Sequence, residues 1–265
     1  MYERYETDTS QRYLKEVFDV LDEPICLMGG WAVRYLVNER FKSARGREYL
    51  GSRDIDLGFR IKKGWSFQEL ENSAFAKAMN VLERELGFEM QGFRLLKQIH
   101  TETGKELSGE EAKATMLPFI FDLYVDLMVS EIHPDFSKAF GFVPADEPLL
   151  EKVFSGPAGR IEHGMFGKTV YLPSVEVLLA MKLNAVINRD REHKQIKDLY
   201  DIVALSLYSP RPMDKEKLRR LYSPDAESGA KLDSILDEKC TDELWKDLFG
   251  IKGETAKKTV LKMLE

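Results

Sequence analysis

The sequence predicts an α/β or α+β domain followed by a helical bundle. Three observations carry this. Short apolar runs of strand type are interspersed with amphipathic helical segments up to Pro173. From Ser174 onward the pattern is helical to the end. The composition shifts near Pro173, so the expected domains are 1–173 and 174–265. At 265 residues the chain is long enough for a substantial core, and no internal repeat or low-complexity tract interrupts it.

Each element follows from its local pattern. Tyr13, Leu14, Val17, Phe18 and Leu21 recur at helical spacing, which predicts a helix over Ser10–Leu21. Ile25–Met28 reads as a short buried strand. Gly29 and Gly30 form a turn, and a helix follows over Gly30–Asn38. Arg40–Arg53 reads as a basic, glycine-containing loop. A second strand is expected over Asp54–Ile61, and a long helix over Ser66–Leu86 ended by Gly87. Phe88–His100 holds one or two strands, and Thr101–Lys113 is a polar loop or hairpin tip. Leu117–Val129 is a strongly apolar strand region. Pro148–Pro173 reads as short strands with Gly-Pro and Phe-Gly-Lys turns. Helices are expected over Val175–Arg189 and from Lys197 through Leu207.

The chemistry concentrates in Leu27–Phe59. Strand side chains alternate faces, so Asp54 and Asp56 point one way while Ile55 and Leu57 enter the core. Adjacent carboxylates repel each other, and a divalent cation between them relieves the repulsion. The Gly29-Gly30 turn ahead of a helix offers close backbone approach, N–H groups and the positive end of a helix dipole, which suits a polyphosphate. A phosphate cradle beside metal carboxylates points to phosphoryl or nucleotidyl transfer. The competing reading of the Asp pair is an exposed, salt-bridged strand face.

Transfer of this kind uses a third carboxylate. Asp122 and Asp126 share a strand face, and Asp126 sits in the more apolar stretch. A carboxylate there needs a cation. Asp126 is the expected third ligand; the alternatives are Asp122 in its place, or an Asp126–arginine pair. Downstream, Val175, Leu179, Lys182, Val186 and Arg189 fall on one helical stripe. Lys182 and Arg189 on a packing face suggest a triphosphate clamp, against the alternative that both snorkel to water. Asp198 and Asp201 share a helix face and either orient those cations, supply a base, or cap the helix.

Composition narrows the setting. The net charge of −6 argues against a generic nucleic-acid coat but allows a local basic groove. The polar N-terminus lacks a signal-peptide core, and no apolar run approaches the roughly 18–20 residues that span a bilayer. A cytoplasmic protein without membrane contact is expected. Cys26 and Cys240 form neither a disulfide framework nor a zinc spacing. Lys42, Arg45, Arg47 and Arg53 run against the overall charge beside the Asp pair. They point to an anionic acceptor such as RNA rather than a cationic aminoglycoside, unless the segment is simply a solvated loop.

With these residues in view, the chain resembles the nucleotidyltransferase superfamily of the DNA polymerase β-like fold. Gly29-Gly30, Asp54-Ile55-Asp56 and Asp126 match its motif in order. The branch it looks most like is the AbiEii-type toxin nucleotidyltransferases, through Lys182-Leu183-Asn184-Ala185, Arg189 and Lys197-Asp198-Leu199-Tyr200-Asp201. The opening Gly-Gly-Trp-Ala-Val also resembles aminoglycoside nucleotidyltransferases. The resemblance covers roughly Cys26–Leu207, and the spacer between Gly30 and Asp54 is longer than the family usually shows. It implies an α+β fold with a mixed sheet and a C-terminal helical domain. It implies an enzyme that uses one or two Mg2+ ions held by Asp54, Asp56 and Asp126, with an NTP as substrate. Asp126 would help deprotonate the acceptor hydroxyl. Gly29, Gly30, Lys182 and Arg189 would hold the nucleotide, and Asp198 would serve catalysis. A toxin role with a tRNA or other RNA acceptor, or a protein acceptor, and an antitoxin partner is also implied. The alternatives are transfer to a small molecule and a nucleotide-binding protein of the same fold without turnover.

Overall fold

The computed structural model describes residues 4–265; the first three residues of the polar N-terminus lie outside the described residues. In chain order the elements are α1 (Arg4–Val20), β1 (Ile25–Leu27), α2 (Gly29–Arg45), β2 (Ile55–Phe59), α3 (Phe67–Glu71), α4 (Ala74–Arg84), β3 (Glu89–Gln91), β4 (Arg94–His100), β5 (Glu106–Leu107) and α5 (Gly109–Ala114). There follow β6 (Ile120–Val129), α6 (Phe136–Phe140), α7 (Leu150–Ser155), β7 (Arg160–Met165) and β8 (Lys168–Pro173). The chain ends in α8 (Val175–Ile187), α9 (Glu192–Tyr208), α10 (Lys215–Leu221), α11 (Ala226–Lys239), α12 (Asp242–Phe249) and α13 (Gly253–Leu264).

The chain divides into two compact units. One holds residues 4–32 and Gly51–Pro173; the other holds Val33–Leu50 and Ser174–Glu265. The chain passes from one to the other within α2, again after Leu50, and finally after Pro173.

The first unit is built on a mixed sheet. Among the described residues its strands run in the order β3-β4-β6-β2-β1-β8-β7, with β5 paired to β4. The β2–β6 and β1–β8 pairs are parallel and the others antiparallel. Period-two burial is clearest on β6. Phe121, Leu123, Val125, Leu127 and Val129 are buried, and the residues between them are half-buried. α1 packs its apolar stripe onto this layer: Tyr13 meets Phe88 edge-on at 6.4 Å, and Phe18 meets Phe166 at 5.7 Å. Each such fully buried side chain contributes about 1.5–3 kcal/mol of transfer free energy. Cys26 lies in this core, where burial pushes its thiol up to about 12; it is an inert apolar filler.

The second unit is helical. α8 is buried on nearly every side, as an all-round apolar helix must be. Around it Tyr200 meets Trp245 edge-on at 4.9 Å, and Phe41 meets Phe249 at 5.8 Å. Phe41 and Tyr49, from the 33–50 segment, are fully buried within this unit.

The structure corrects several element expectations. α2 continues to Arg45, so Arg40, Lys42 and Arg45 are helical rather than part of a loop. The helix expected over Ser66–Leu86 is two helices, because Ser73 accepts the Ala76 N–H and caps a new start. Ser66 and Glu69 form a capping box on the first. The polar excursion after Thr101 contains β5 and α5, and Pro148–Pro173 contains the helix α7. A short apolar run does not distinguish a helix turn from a strand, and packing decides it.

Candidate active site

The two aspartate-bearing strands, β2 and β6, lie side by side in parallel. Their register pairs Ile55 with Val125 and Asp56 with Asp126 directly. Ile55 and Leu57 are fully buried, so Asp56 points to the opposite face, and Asp54 immediately precedes the strand. Asp54, Asp56 and Asp126 are thus brought together. Asp122, the other candidate on β6, lies further along the strand and accepts a hydrogen bond from Gln98 at 2.9 Å.

Gly29 opens α2 against Asp56. Its φ is +60°, and a Cβ built on it would overlap the Asp56 carboxylate. Only glycine allows that approach. The backbone N–H of Met28 donates to the carbonyl of Asp56 at 2.9 Å, which locks the turn to β2. The first turn of α2, with Gly29 and Gly30, therefore sits at the carboxylate face with its positive dipole end.

One residue of this face escaped the sequence reading. Arg94, at the start of β4, grips Asp126 with two bonds, Nε to Oδ1 at 2.5 Å and Nη2 to Oδ2 at 2.7 Å, and reaches Asp54 at 3.2 Å. Its guanidinium also lies 3.9 Å from the centre of the Tyr124 ring. Burial disfavours the charge, but the two carboxylates outweigh burial and hold Arg94 above its ordinary value. The Asp126–arginine pair left open by the sequence is present. Nothing in the local pattern around Arg94 announces it; the pair exists because β4 and β6 are neighbours.

The remaining predicted residues assemble in the helical unit. Lys182 Nζ lies 2.7 Å from Asp198 and 2.8 Å from Asp201, and is only 8% exposed. Arg189 Nε donates to the other Asp198 oxygen at 2.8 Å. Lys197 and the Tyr49 hydroxyl both donate to Asp201, at 2.5 and 2.8 Å. Burial is the largest influence on Asp198 and works against its charge, but Lys182 and Arg189 outweigh it and hold the carboxyl below its ordinary 3.8. Asp198 and Asp201 likewise hold Lys182 protonated against burial. Lys197 goes the other way: burial and the Lys182 charge lower it more than Asp201 restores. Lys182 neither snorkels nor stands open as a clamp; it is the centre of a buried ion cluster. Arg189, just beyond α8 with its side chain 39% exposed, is the cation that faces outward.

The basic run that precedes the Asp pair in the sequence makes its contacts within the chain. Lys42 meets Glu48 at 3.4 Å, Arg47 pairs with Asp247, and Arg53 meets Glu6 at 3.1 Å. The Arg45 guanidinium packs on Gly250 at the C-terminal end of α12.

The carboxylate face fits a divalent metal ion by its chemistry. The donors are all hard oxygens, two of them are set in direct register, and the Arg94 guanidinium stands as a cation between Asp54 and Asp126. As the side chains stand, no three carboxylate, histidine or cysteine groups among the described residues converge closely enough to hold an ion. Both Asp126 oxygens bind Arg94 instead.

A chain with this fold and sequence is a nucleotidyltransferase. It belongs to the AbiEii nucleotidyl transferase toxin family of type IV toxin–antitoxin systems, which matches it over residues 45–249. That span includes Asp54, Asp56, Asp126, Lys182, Arg189 and Asp198, and begins after Gly29 and Gly30. No curated protein sequence matches the chain. Among solved structures, an antigenic nucleotidyltransferase-like protein from Paracoccidioides brasiliensis is similar at 16% identity and a TM-score of 0.46, covering 94% of this chain and 93% of that chain. The antibiotic-resistance factor ANT(2'')-Ia is similar at 15% identity and a TM-score of 0.40, covering 88% of this chain and 99% of that one. No helix among the described residues is long and apolar enough to cross a membrane.

Proposed function

We propose that this nucleotidyltransferase moves a nucleoside monophosphate from an NTP to an acceptor hydroxyl, using Mg2+ held by Asp54 and Asp56 with Asp126 as the third oxygen ligand. The observation that carries the reading is the direct Asp56–Asp126 register, with Gly29 packed against Asp56. When bound, the ion supplies charge neutralisation for an in-line displacement at phosphorus. The chain's own groups do the rest. The first turn of α2 meets phosphate oxygens with its backbone N–H groups and dipole. Asp126 orients the acceptor hydroxyl and takes its proton. In the helical unit Lys182 and Arg189 keep the buried Asp198 in place.

For the acceptor we favour RNA, with an antitoxin as the protein partner that a type IV system calls for. Lys42, Arg47 and Arg53 of the basic run pair with carboxylates of this chain, so the run carries little of that reading. What supports it is the toxin family and the half-buried face of β4 and β6, where Leu96, Gln98, Asp122 and Tyr124 extend from Asp126. Such a mixed polar and aromatic face suits unstacked bases. The test is incubation with each labelled NTP, Mg2+ and either total RNA or a lysate. Label on RNA with release of pyrophosphate is expected. Label only on small cationic molecules would reject the RNA reading, and no pyrophosphate release with any NTP would reject the transfer reading.

A further inference from the structure

Arg94 holds two of the three carboxylates that the proposed metal would use. A guanidinium fork matches a carboxylate bidentately, and the Asp126 pair has that form. The residue is not boxed in, however. Its side chain is 23% exposed, and it stands at the end of the β3–β4 hairpin, paired with Gln91 across the two-residue turn Gly92-Phe93. Tyr124 offers a second seat at 3.9 Å, and the Tyr124 hydroxyl is itself fixed by a 3.0 Å bond to Gln91. A guanidinium that lets go of Asp126 can therefore stay on the aromatic ring beside the site.

We propose that Arg94 is the site's internal countercation: it holds Asp54 and Asp126 in the metal-free protein, competes with the divalent ion for their oxygens, and turns onto the nucleotide phosphates once the ion has entered. The inference rests on the reading of Asp54, Asp56 and Asp126 as the metal-binding set. Two cations at hydrogen-bonding distance from the same carboxylate repel each other, so arginine and ion exchange rather than share. The same planar fork that fits a carboxylate fits a phosphate, so the displaced side chain has a new anionic partner whenever an NTP accompanies the metal. Arg94 is on this account a positioning residue that couples metal entry to nucleotide binding.

The coupling is read without turnover, by Mn2+ binding followed by electron paramagnetic resonance in the absence of nucleotide. If the Arg94-released form is a tenth of the population or less, Arg94→Gln binds Mn2+ about tenfold tighter than the wild type, because apparent affinity scales with the competent fraction. Arg94→Lys, which keeps the charge but loses the fork, falls between. In the intact protein the Arg94 Nε–H resonance, assigned by its loss in Arg94→Lys, shifts as Mg2+ is added. Equal or weaker Mn2+ binding by Arg94→Gln overturns the proposal, and so does an Arg94 resonance that stays fixed while the metal site fills. The wider reading is tested separately by Asp56→Asn. If Asp56→Asn binds Mn2+ like the wild type, or if no form of the protein binds it at all, the metal assignment fails, and this inference with it.

Discussion

At the residue scale the two aspartate sets have opposite characters. Asp56 is a metal ligand in the proposed function, and on that reading its replacement removes chemistry. Asp56→Asn is expected to lower pyrophosphate release by roughly 10³-fold or more while leaving the circular dichroism spectrum and melting temperature near wild type. Turnover near the wild-type rate would sink its role as a metal ligand. Lys182 instead sits between two buried carboxylates, and removing it leaves Asp198 and Asp201 short of a cation. Lys182→Ala should cost about 3–5 kcal/mol in urea unfolding, the range for breaking a buried ion pair from one side. Arg189 is the second cation on the buried Asp198, so Arg189→Gln should also lower the unfolding midpoint, by less than Lys182→Ala because its side chain is 39% exposed. An unchanged midpoint would make the Arg189–Asp198 pair dispensable to the fold.

Between elements, two pairings matter most, β1 with α2 and α8 with α9. The turn from β1 into α2 requires Gly29 for its positive φ and for the Asp56 carboxylate packed against it. Gly29→Ala combines backbone strain with a clash, for an expected loss of about 1–3 kcal/mol and a fall in activity from a displaced Asp56. The second pairing is α8 with α9, joined by Lys182, Arg189 and Asp198. Asp198 has a folded pKa below its unfolded 3.8. The unfolded state therefore binds more protons in that range, and stability rises with pH through it. The contribution is complete above about pH 5 and is lost as pH falls below 3.8 towards the folded value. Thermal melts between pH 6 and pH 3 should show this acid limb, and Asp198→Asn, though less stable throughout, should show a shallower one. Equal slopes for both proteins would place the acid sensitivity elsewhere.

At the scale of the whole molecule, ligand linkage is the accessible measurement. A ligand that binds only the folded state stabilises it by about 2.7 kcal/mol at a hundredfold excess over its Kd. Mg2+ with a non-hydrolysable NTP analogue is expected to raise the melting temperature of the wild type. Asp56→Asn should show little of that rise with either metal or nucleotide. An equal shift in both proteins would move the metal away from the β2–β6 face.

Much of this protein was determined by local sequence. Gly29-Gly30, the Asp54–Asp56 parity, the Asp126 candidate and the Lys182, Arg189 and Asp198 group are all legible, because strand and helix periodicities fix which side chains share a face. The strands β1, β2 and β6 and the helices α1, α8 and α9 are legible for the same reason, whereas the Ser73 break, β5, α5 and α7 are not, because short segments carry no decisive period. What the tertiary structure decided are the relations between distant segments. The Arg94–Asp126 pair depends on β4 lying beside β6. The burial of Lys182 depends on α9 packing against α8, and the membership of Val33–Leu50 in the helical unit depends on Phe41 and Tyr49 finding Phe249. The internal pairing of Arg47 and Arg53 likewise depends on residues far along the chain or on another helix. Periodicity specifies the face a residue occupies, but only packing specifies what that face meets.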